Sequence, residues 1–125
     1  MLILSGKIVL VTGGARSGKS TFAEKYVAKV GKNITYIATA QVFDEEMRYR
    51  VGLHKSRRPS NWKCIEAPYL AEFAIENSAK SSDIILFDCL TLYVTNLLLS
   101  ENAPASIKER YHYVKEAVER IIEVS

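Results

Sequence analysis

The feature that most constrains the fold of this 125-residue chain is a glycine-rich segment near its start, GGARSGKS. It has the form G-x-x-x-x-G-K-[ST], in which glycines let backbone N–H groups approach a phosphate, the lysine reaches the outer phosphates and the hydroxyl can hold Mg²⁺. Such a loop needs a strand before it and a helix after it, because the helix N-terminus attracts an anion. The predicted phosphate-binding residues are Gly13, Gly14, Ala15, Arg16, Ser17, Gly18, Lys19 and Ser20.

The segments on both sides of the loop have the patterns that it requires. Lys7 to Thr12 is a short apolar run rich in β-branched residues, which predicts a buried parallel strand. After the loop, Phe22, Tyr26 and Val30 recur four residues apart, which predicts one face of a helix. Gly31 is expected to end that helix.

Strand and helix patterns alternate along the rest of the chain, as in an α/β domain with a parallel sheet. We predict strands at 33–38, 62–66 and 83–88, and helices at 45–53, 69–79, 90–100 and 105–124. Asp44 is the expected N-cap of the first of these helices, and Leu70, Phe73 and Ala74 share one face of the second. We therefore expect a single domain over residues 1–125, a three-layer P-loop nucleotide-binding fold with a mainly parallel sheet.

Composition and charge exclude several classes of protein. With 48% hydrophobic and 25% charged residues, the chain resembles a globular domain rather than a disordered one. Its net charge of +3 is too small to argue for a nucleic-acid partner. No apolar run is long enough to span a membrane, and the N-terminus lacks the pattern of a signal peptide. Cys64 and Cys89 form no C-x-x-C motif, so we expect two free buried thiols in a cytoplasmic protein.

Asp88 is a second landmark, because it follows four apolar residues at the predicted end of a central strand. In nucleotide enzymes with this loop, such a carboxylate orients Mg²⁺ or its water shell beside the loop hydroxyl, here that of Ser20. Mg²⁺ is therefore the predicted cofactor, with Ser20 and Asp88 as its predicted ligands. The alternative is that Asp88 N-caps the helix predicted to begin near Leu90.

A cationic segment around His54 is the third feature. Residues 47–59 contain five Arg and Lys residues and no acidic residue. Nearby positive charge favours a neutral imidazole, which is a nucleophile, and the cations could hold a triphosphate in front of it. The alternative is that the segment is the solvated face of a helix. The other histidine, His112, has no partner at metal-ligand spacing and is predicted to be structural or exposed.

Taken in order, these blocks resemble the bifunctional adenosylcobinamide kinase/adenosylcobinamide-phosphate guanylyltransferase family of cobalamin biosynthesis. The combination of blocks is much more specific than the loop alone, and it covers the chain from about Lys7 to Ser100. The matching blocks are GGARSGKS at 13–20, YIATA at 36–40, DEEM at 44–47 with Arg50, HKSRRP at 54–59, Trp62, Glu66, and DCLTL at 88–92 with Asn96.

The resemblance implies that His54 is the catalytic nucleophile. Its ring nitrogen would attack the α-phosphate of GTP, expel pyrophosphate and pass GMP to adenosylcobinamide phosphate, giving adenosylcobinamide-GDP. The same family first phosphorylates adenosylcobinamide with ATP or GTP. Cations near His54 would stabilise charge on the departing pyrophosphate. By family position, further nucleotide-binding residues are Ala38, Thr39, Ala40, Lys55, Ser56, Arg57, Arg58, Glu66 and Asp88.

The chain departs from the family pattern in two respects. Tyr93 stands on a predicted helix face where the family has Trp, and the chain is shorter than the roughly 170–190 residues expected of the family. We therefore expect the last strands of the family's sheet to be missing. A homo-oligomer with the nucleotide site near a subunit boundary is expected by analogy.

Two alternative functions remain open from the sequence. One is another P-loop kinase for a small metabolite, which would need no covalent histidine. The other is a truncated nucleotide-binding remnant without activity. A nucleic-acid-binding ATPase is disfavoured by the modest charge, so we expect neither a nucleic-acid partner nor a membrane span.

Overall fold

The computed structural model describes residues 1–5, 7–13, 17–41 and 45–124, without the side chains of residues 47, 50, 51, 54, 55 and 57. Its strands are β1 (Leu2–Leu4), β2 (Ile8–Leu10), β3 (Ile34–Ala38), β4 (Lys63–Glu66) and β5 (Ile84–Asp88). Its helices are α1 (Lys19–Val30), α2 (Glu45–Arg57), α3 (Ala71–Ala79), α4 (Leu90–Leu98) and α5 (Ile107–Val124). The predicted N-cap Asp44 lies outside the described residues.

The described strands form one sheet in the order β2-β1-β5-β3-β4. β3 pairs parallel with both β4 and β5, whereas β1 pairs antiparallel with β5 and with β2. Four strands therefore run in one direction and β1 runs against them. This mainly parallel sheet confirms the predicted α/β class, and it places the carboxyl ends of β2, β3, β4 and β5 at one edge.

Side chains alternate across the sheet and fill a buried cluster on each side. On β5, Ile84 and Leu86 pack in the cluster that contains residues of α1. Ile85 and Phe87 pack in the cluster that contains residues of α3, α4 and α5. We call these two sides the α1 face and the α5 face. The sheet is thus the middle one of three layers, as predicted.

The strand before the loop lies where the sequence predicts it, but not in the predicted environment. Ile8, Val9 and Leu10 are 46%, 36% and 59% exposed, and β2 pairs antiparallel with β1 at the edge of the sheet. The prediction of a buried parallel strand is therefore wrong. The reason is that β1, which the sequence pattern did not separate, takes the place beside β5 with all three of its side chains buried.

Helix α1 packs on the sheet through smaller residues than its spacing predicted. Ala23 and Val27 are fully buried, whereas Phe22, Tyr26 and Val30 are exposed. Residues four apart line both sides of this helix, and the smaller pair lets the helix lie close to the sheet. The predicted end of the helix is confirmed, because α1 stops before Gly31.

Helix α3 also buries another face than predicted. It begins at Ala71, and it buries Ala71, Ile75 and Ser78, while Leu70 and Phe73 are exposed. Neighbouring apolar residues on a short helix do not reveal by themselves which row meets the sheet.

Helix α2 extends to Arg57 rather than to about residue 53. Pro59 disfavours helical backbone only at the residue before it, so the helix can continue this far. His54 therefore lies within the last turns of the helix rather than at a boundary between helix and loop.

Several smaller predictions are decided by burial. Both cysteines are free, but Cys64 is exposed on the edge strand β4 and Cys89 is only partly buried, so the prediction of two buried thiols is wrong. His112 is exposed on α5, as predicted. Tyr93 is 1% exposed, so the face of α4 that carries it packs in the core. None of the described helices is long and apolar enough to cross a membrane.

Candidate functional site

The phosphate loop is described at both ends, whereas Gly14, Ala15 and Arg16 lie outside the described residues. Gly18 has a φ of 82°, in the left-handed region where a side chain is strained. Helix α1 begins at the next residue, Lys19. The helix therefore starts at the point that the motif predicts, and its first N–H groups lie beside the loop.

Lys19 connects the two ends of the loop. Its ammonium group donates a hydrogen bond of 3.0 Å to the carbonyl of Gly13. A Cβ at Gly13 would meet the hydroxyl of Ser17, so the Ser17 side chain would have to turn away. A phosphate bound in the loop would compete with the Gly13 carbonyl for this ammonium group, and charge favours the phosphate.

Three predicted site residues share one row at the carboxyl edge of the sheet. Ala38 pairs with Glu66 on β4 and with Asp88 on β5. Tyr36 and Leu86, two residues earlier on β3 and β5, pack on the α1 face, so the row Glu66–Ala38–Asp88 lies on that face too. At the usual spacing between neighbouring strands, the backbones of the two acidic residues are about 10 Å apart across the sheet, with only the small Ala38 between them.

The carboxylate of Asp88 is held by a buried tyrosine. The hydroxyl of Tyr36 donates a hydrogen bond to Asp88 Oδ2. Burial, and then the negative charge of Asp88, raise the pKa of Tyr36 far above its usual value. The phenol therefore keeps its proton and acts as the donor. Tyr36 is 5% exposed.

Arg58 lies against the same tyrosine. Its guanidinium carbon is 3.7 Å from the centroid of the Tyr36 ring, and one of its terminal nitrogens is 3.9 Å from Glu24 Oε1 on α1. Arg58 is 8% exposed, and its Nε has no hydrogen-bond partner among the described residues. This predicted nucleotide-binding residue is thus buried between α1 and β3, not on a solvated helix face.

Thr39 fastens the end of β3 to the end of β5. It is fully buried, and its hydroxyl donates to the Cys89 carbonyl at 2.8 Å and accepts from the Cys89 N–H at 2.9 Å. Its backbone N–H donates to the Asp88 carbonyl at 2.9 Å, and its carbonyl accepts from Asn96 Nδ2 at 2.7 Å. In this arrangement Thr39 braces the strand ends and does not present its hydroxyl to solvent.

The alternative role of Asp88 as a helix cap is wrong. Cys89 is the N-cap of α4, and its sulfur accepts a hydrogen bond from the backbone N–H of Leu92 at 3.4 Å. The carboxylate of Asp88 instead lies on the α1 face with Tyr36.

The remaining predicted residues are placed less completely. His54, Lys55 and Arg57 lie on α2, and their side chains lie outside the described residues. Ser56 is exposed, and its hydroxyl donates to the Leu53 carbonyl at 2.8 Å. Ala40 is partly buried just beyond the end of β3. The predicted roles of these residues stay predictions.

Mg²⁺ fits the donor atoms that the site offers. Ser20 in the first turn of α1 and Asp88 at the end of β5 supply oxygen atoms, and both residues are partly exposed. Mg²⁺ usually takes one or two protein oxygens and completes its shell with phosphates and water. Within the described parts of the chain, no group of three or more His, Cys, Asp or Glu residues could hold a metal by itself.

Sequence reasoning did not assign a role to Tyr36 or to Glu24. A signal for Tyr36 was present, because a tyrosine inside a buried strand needs a partner for its hydroxyl. No local signal marks Glu24, since its contact with Arg58 joins residues far apart in the chain.

Comparison with known proteins agrees with these motifs. A family model described as "Cobinamide kinase / cobinamide phosphate guanyltransferase" matches residues 9–125. The bifunctional adenosylcobalamin biosynthesis protein CobP of Pseudomonas aeruginosa is 45% identical over 93 residues, which cover 74% of this chain and 54% of that protein. Two proteins named bifunctional adenosylcobalamin biosynthesis protein CobU are each 40% identical. The match to the one from Salmonella typhimurium spans 119 residues, 93% of this chain and 62% of that protein. The match to the one from Escherichia coli K12 spans 91 residues, 73% of this chain and 50% of that protein. The chain thus spans between 50% and 62% of the length of these relatives.

Proposed function

Because the chain belongs to the cobinamide kinase / cobinamide phosphate guanyltransferase family, we propose that the whole protein carries out both reactions of that name. It phosphorylates adenosylcobinamide with ATP or GTP, and it then transfers GMP from GTP to the new phosphate to give adenosylcobinamide-GDP. The observation that carries the proposal is the row Glu66–Ala38–Asp88 on the α1 face. This row lies at the carboxyl ends of the strands, and β2 also leads toward the phosphate loop at its carboxyl end. By resemblance to the family, we also propose a cytoplasmic homo-oligomer.

In the proposed kinase step, the loop from Gly13 to Ser20 binds the triphosphate and Lys19 offsets its charge. Ser20 and Asp88 would hold Mg²⁺, and the metal would supply positive charge to the phosphate oxygens. The substrate hydroxyl oxygen forms a bond to the γ-phosphorus, the bond to the β–γ bridging oxygen breaks, and the hydroxyl proton is released. The ordered helix start and the Asp88–Tyr36 hydrogen bond support this assignment.

In the proposed guanylyl step, a ring nitrogen of His54 forms a bond to the α-phosphorus of GTP and pyrophosphate leaves. A phosphate oxygen of adenosylcobinamide phosphate then displaces the histidine and takes GMP. The anchoring of Arg58 supports this step, because Arg58 directly follows the end of α2, the helix of His54. Arg58 contacts Tyr36, which bonds Asp88, so the end of α2 is tied to the carboxyl edge of the sheet.

The decisive experiment is labelling of the whole protein with GTP that carries radioactive phosphorus at the α position. The wild-type protein is expected to form an acid-labile adduct with GMP, and His54→Ala is expected to form none. His112→Ala is the matched control, because His112 is exposed on α5, and it should label like the wild type. Labelling of His54→Ala, or no labelling of the wild type, would contradict the proposal.

A further inference from the structure

Four side chains form a continuous line of contacts on the α1 face. Glu24 of α1 lies 3.9 Å from Arg58, Arg58 lies over the ring of Tyr36 on β3, and Tyr36 bonds Asp88 at the end of β5. We propose that Tyr36 is a positioning residue, whose hydroxyl orients the Asp88 carboxylate and whose ring fixes Arg58 at the end of α2. This inference rests on the proposed function for the roles of Asp88 and α2, and it adds a role for Tyr36 itself.

The hydroxyl of Tyr36 acts on Asp88. A buried phenol needs an acceptor, and the acceptor here is Asp88 Oδ2. A carboxylate held at one oxygen presents its other oxygen in a fixed direction. Partners of this kind, which orient a ligand without touching the metal, typically change metal affinity about tenfold or more when they are removed. Loss of the hydroxyl should therefore weaken metal binding and leave the amide exchange of helix α2 nearly unchanged.

The ring of Tyr36 acts on Arg58. A buried guanidinium is unfavourable unless its charge and N–H groups find partners. Arg58 is 8% exposed, its contact with Glu24 is long at 3.9 Å, and its Nε has no hydrogen bond within the described residues. The aromatic face at 3.7 Å is therefore a principal partner of this cation. Loss of the contact between the ring and Arg58 should therefore speed the amide exchange at the end of α2.

Two substitutions separate these effects. Tyr36→Phe removes the hydroxyl and keeps the ring, and it changes the buried volume very little. Tyr36→Leu removes both. A residue that only fills the core would show graded loss of stability in both variants, with metal affinity and helix exchange changing together. Tyr26→Phe on α1 is a matched control, because Tyr26 is 41% exposed and stacks on Phe22 away from this line of contacts.

The first measurement is the binding of Mn²⁺ to the whole protein in the presence of a non-hydrolysable GTP analogue, and electron paramagnetic resonance monitors it. Tyr36→Phe is expected to raise the dissociation constant of Mn²⁺ about tenfold. Tyr26→Phe should leave it unchanged. In the kinase reaction, the Mg²⁺ concentration for half-maximal rate should rise in parallel in Tyr36→Phe, while the rate at saturating Mg²⁺ stays close to that of the wild type.

The second measurement is hydrogen exchange of the backbone amides of α2, residues 45–57. Tyr36→Leu is expected to speed this exchange about tenfold, whereas Tyr36→Phe should leave it as in the wild type. Arg58→Met removes the same contact from its other side, and it should reproduce the faster exchange of the α2 amides in the protein without nucleotide. It therefore keeps the inference testable where Tyr36→Leu fails to fold.

The outcomes separate this inference from the proposed function. Unchanged Mn²⁺ affinity in Tyr36→Phe would overturn the role of the hydroxyl. Equal α2 exchange in the wild type and in Arg58→Met would overturn the role of the ring. If the variants show these binding and exchange effects but the wild-type protein forms no GMP adduct, the proposed guanylyl step is contradicted and the positioning role of Tyr36 stands.

Discussion

Thr39 shows how one hydroxyl can determine the geometry of a strand end. Its buried oxygen bonds both the carbonyl and the N–H of Cys89, and its main chain bonds Asp88. Because β3 and β5 pair directly, the position of Asp88 at the end of β5 depends on Thr39 at the end of the neighbouring strand. The family resemblance predicted a nucleotide contact for Thr39, and the structure adds this bracing role.

Thr39→Val is expected to lower the free energy of unfolding by about 1 to 3 kcal/mol, because it keeps the shape and leaves the partly buried Cys89 N–H without its hydrogen-bond acceptor. Thr39→Ser keeps the hydroxyl and should lose less. Urea unfolding followed by circular dichroism, without nucleotide, measures both. Equal stability of Thr39→Val and the wild type would show that the hydroxyl does not brace the strand ends.

The ionised carboxylate of Asp83 contributes to the stability of the fold in a pH-dependent way. Its carboxylate accepts hydrogen bonds from the backbone N–H groups of Lys32 and Asn33 at 2.9 and 3.0 Å. These bonds, first that from Asn33, lower the pKa of Asp83. A lowered folded-state pKa gives stability that is present above the unfolded value, about 3.9, and is lost as the pH falls through the folded-state pKa.

The wild type should therefore be more stable than Asp83→Asn near neutral pH, and the difference should shrink as the pH falls from about 5 toward 2. Urea midpoints at several pH values measure this difference. Because the carboxylate is exposed, the effect should also decrease with added salt. A difference that stays constant across this range would contradict the assignment.

Among the elements, the positions of most strands and helices follow from local patterns, but the face that a helix buries does not. On α1, the row of Ala23 and Val27 meets the sheet, while the larger residues at 22, 26 and 30 are exposed. Both rows have helical spacing, so hydrophobic periodicity alone cannot choose between them. The choice is made by the space above the sheet, which admits small side chains and a close helix.

Val27→Ala is expected to cost about 2 kcal/mol of unfolding free energy, because Val27 is fully buried against the sheet. Val30→Ala makes the same chemical change at a site that is 54% exposed, and it should stay within about 0.5 kcal/mol of the wild type. Denaturant unfolding of the two variants compares them directly. A larger loss of unfolding free energy in Val30→Ala than in Val27→Ala would instead support the buried face that the spacing predicted.

Among the described strands, the exposed apolar strand β2 lies at one side of the sheet. β2 pairs on one side with β1, and its side chains Ile8, Val9 and Leu10 are all exposed. An unprotected apolar edge strand is a template for pairing with another chain. The 125-residue chain is therefore expected to self-associate through this edge as its concentration rises.

Leu10→Lys should reduce this association, because a charge on an edge strand disfavours strand pairing. Ile107→Lys is the control, since Ile107 is 89% exposed but lies on α5 and not on a strand. Light scattering over a range of concentrations distinguishes the two variants. Equal association of Leu10→Lys and the wild type would mean that another surface drives it.

Local sequence is enough to predict the phosphate loop, the helix that follows it, the α/β class and the strand that ends in Asp88, because each rests on local backbone chemistry and local periodicity. The three-dimensional packing is needed to show that β1 displaces β2 to the edge of the sheet, and which rows of the helices are buried. The packing is also needed to show that Tyr36 links Arg58 to Asp88. These outcomes depend on strand order and on contacts between residues far apart in the chain, which no local pattern encodes.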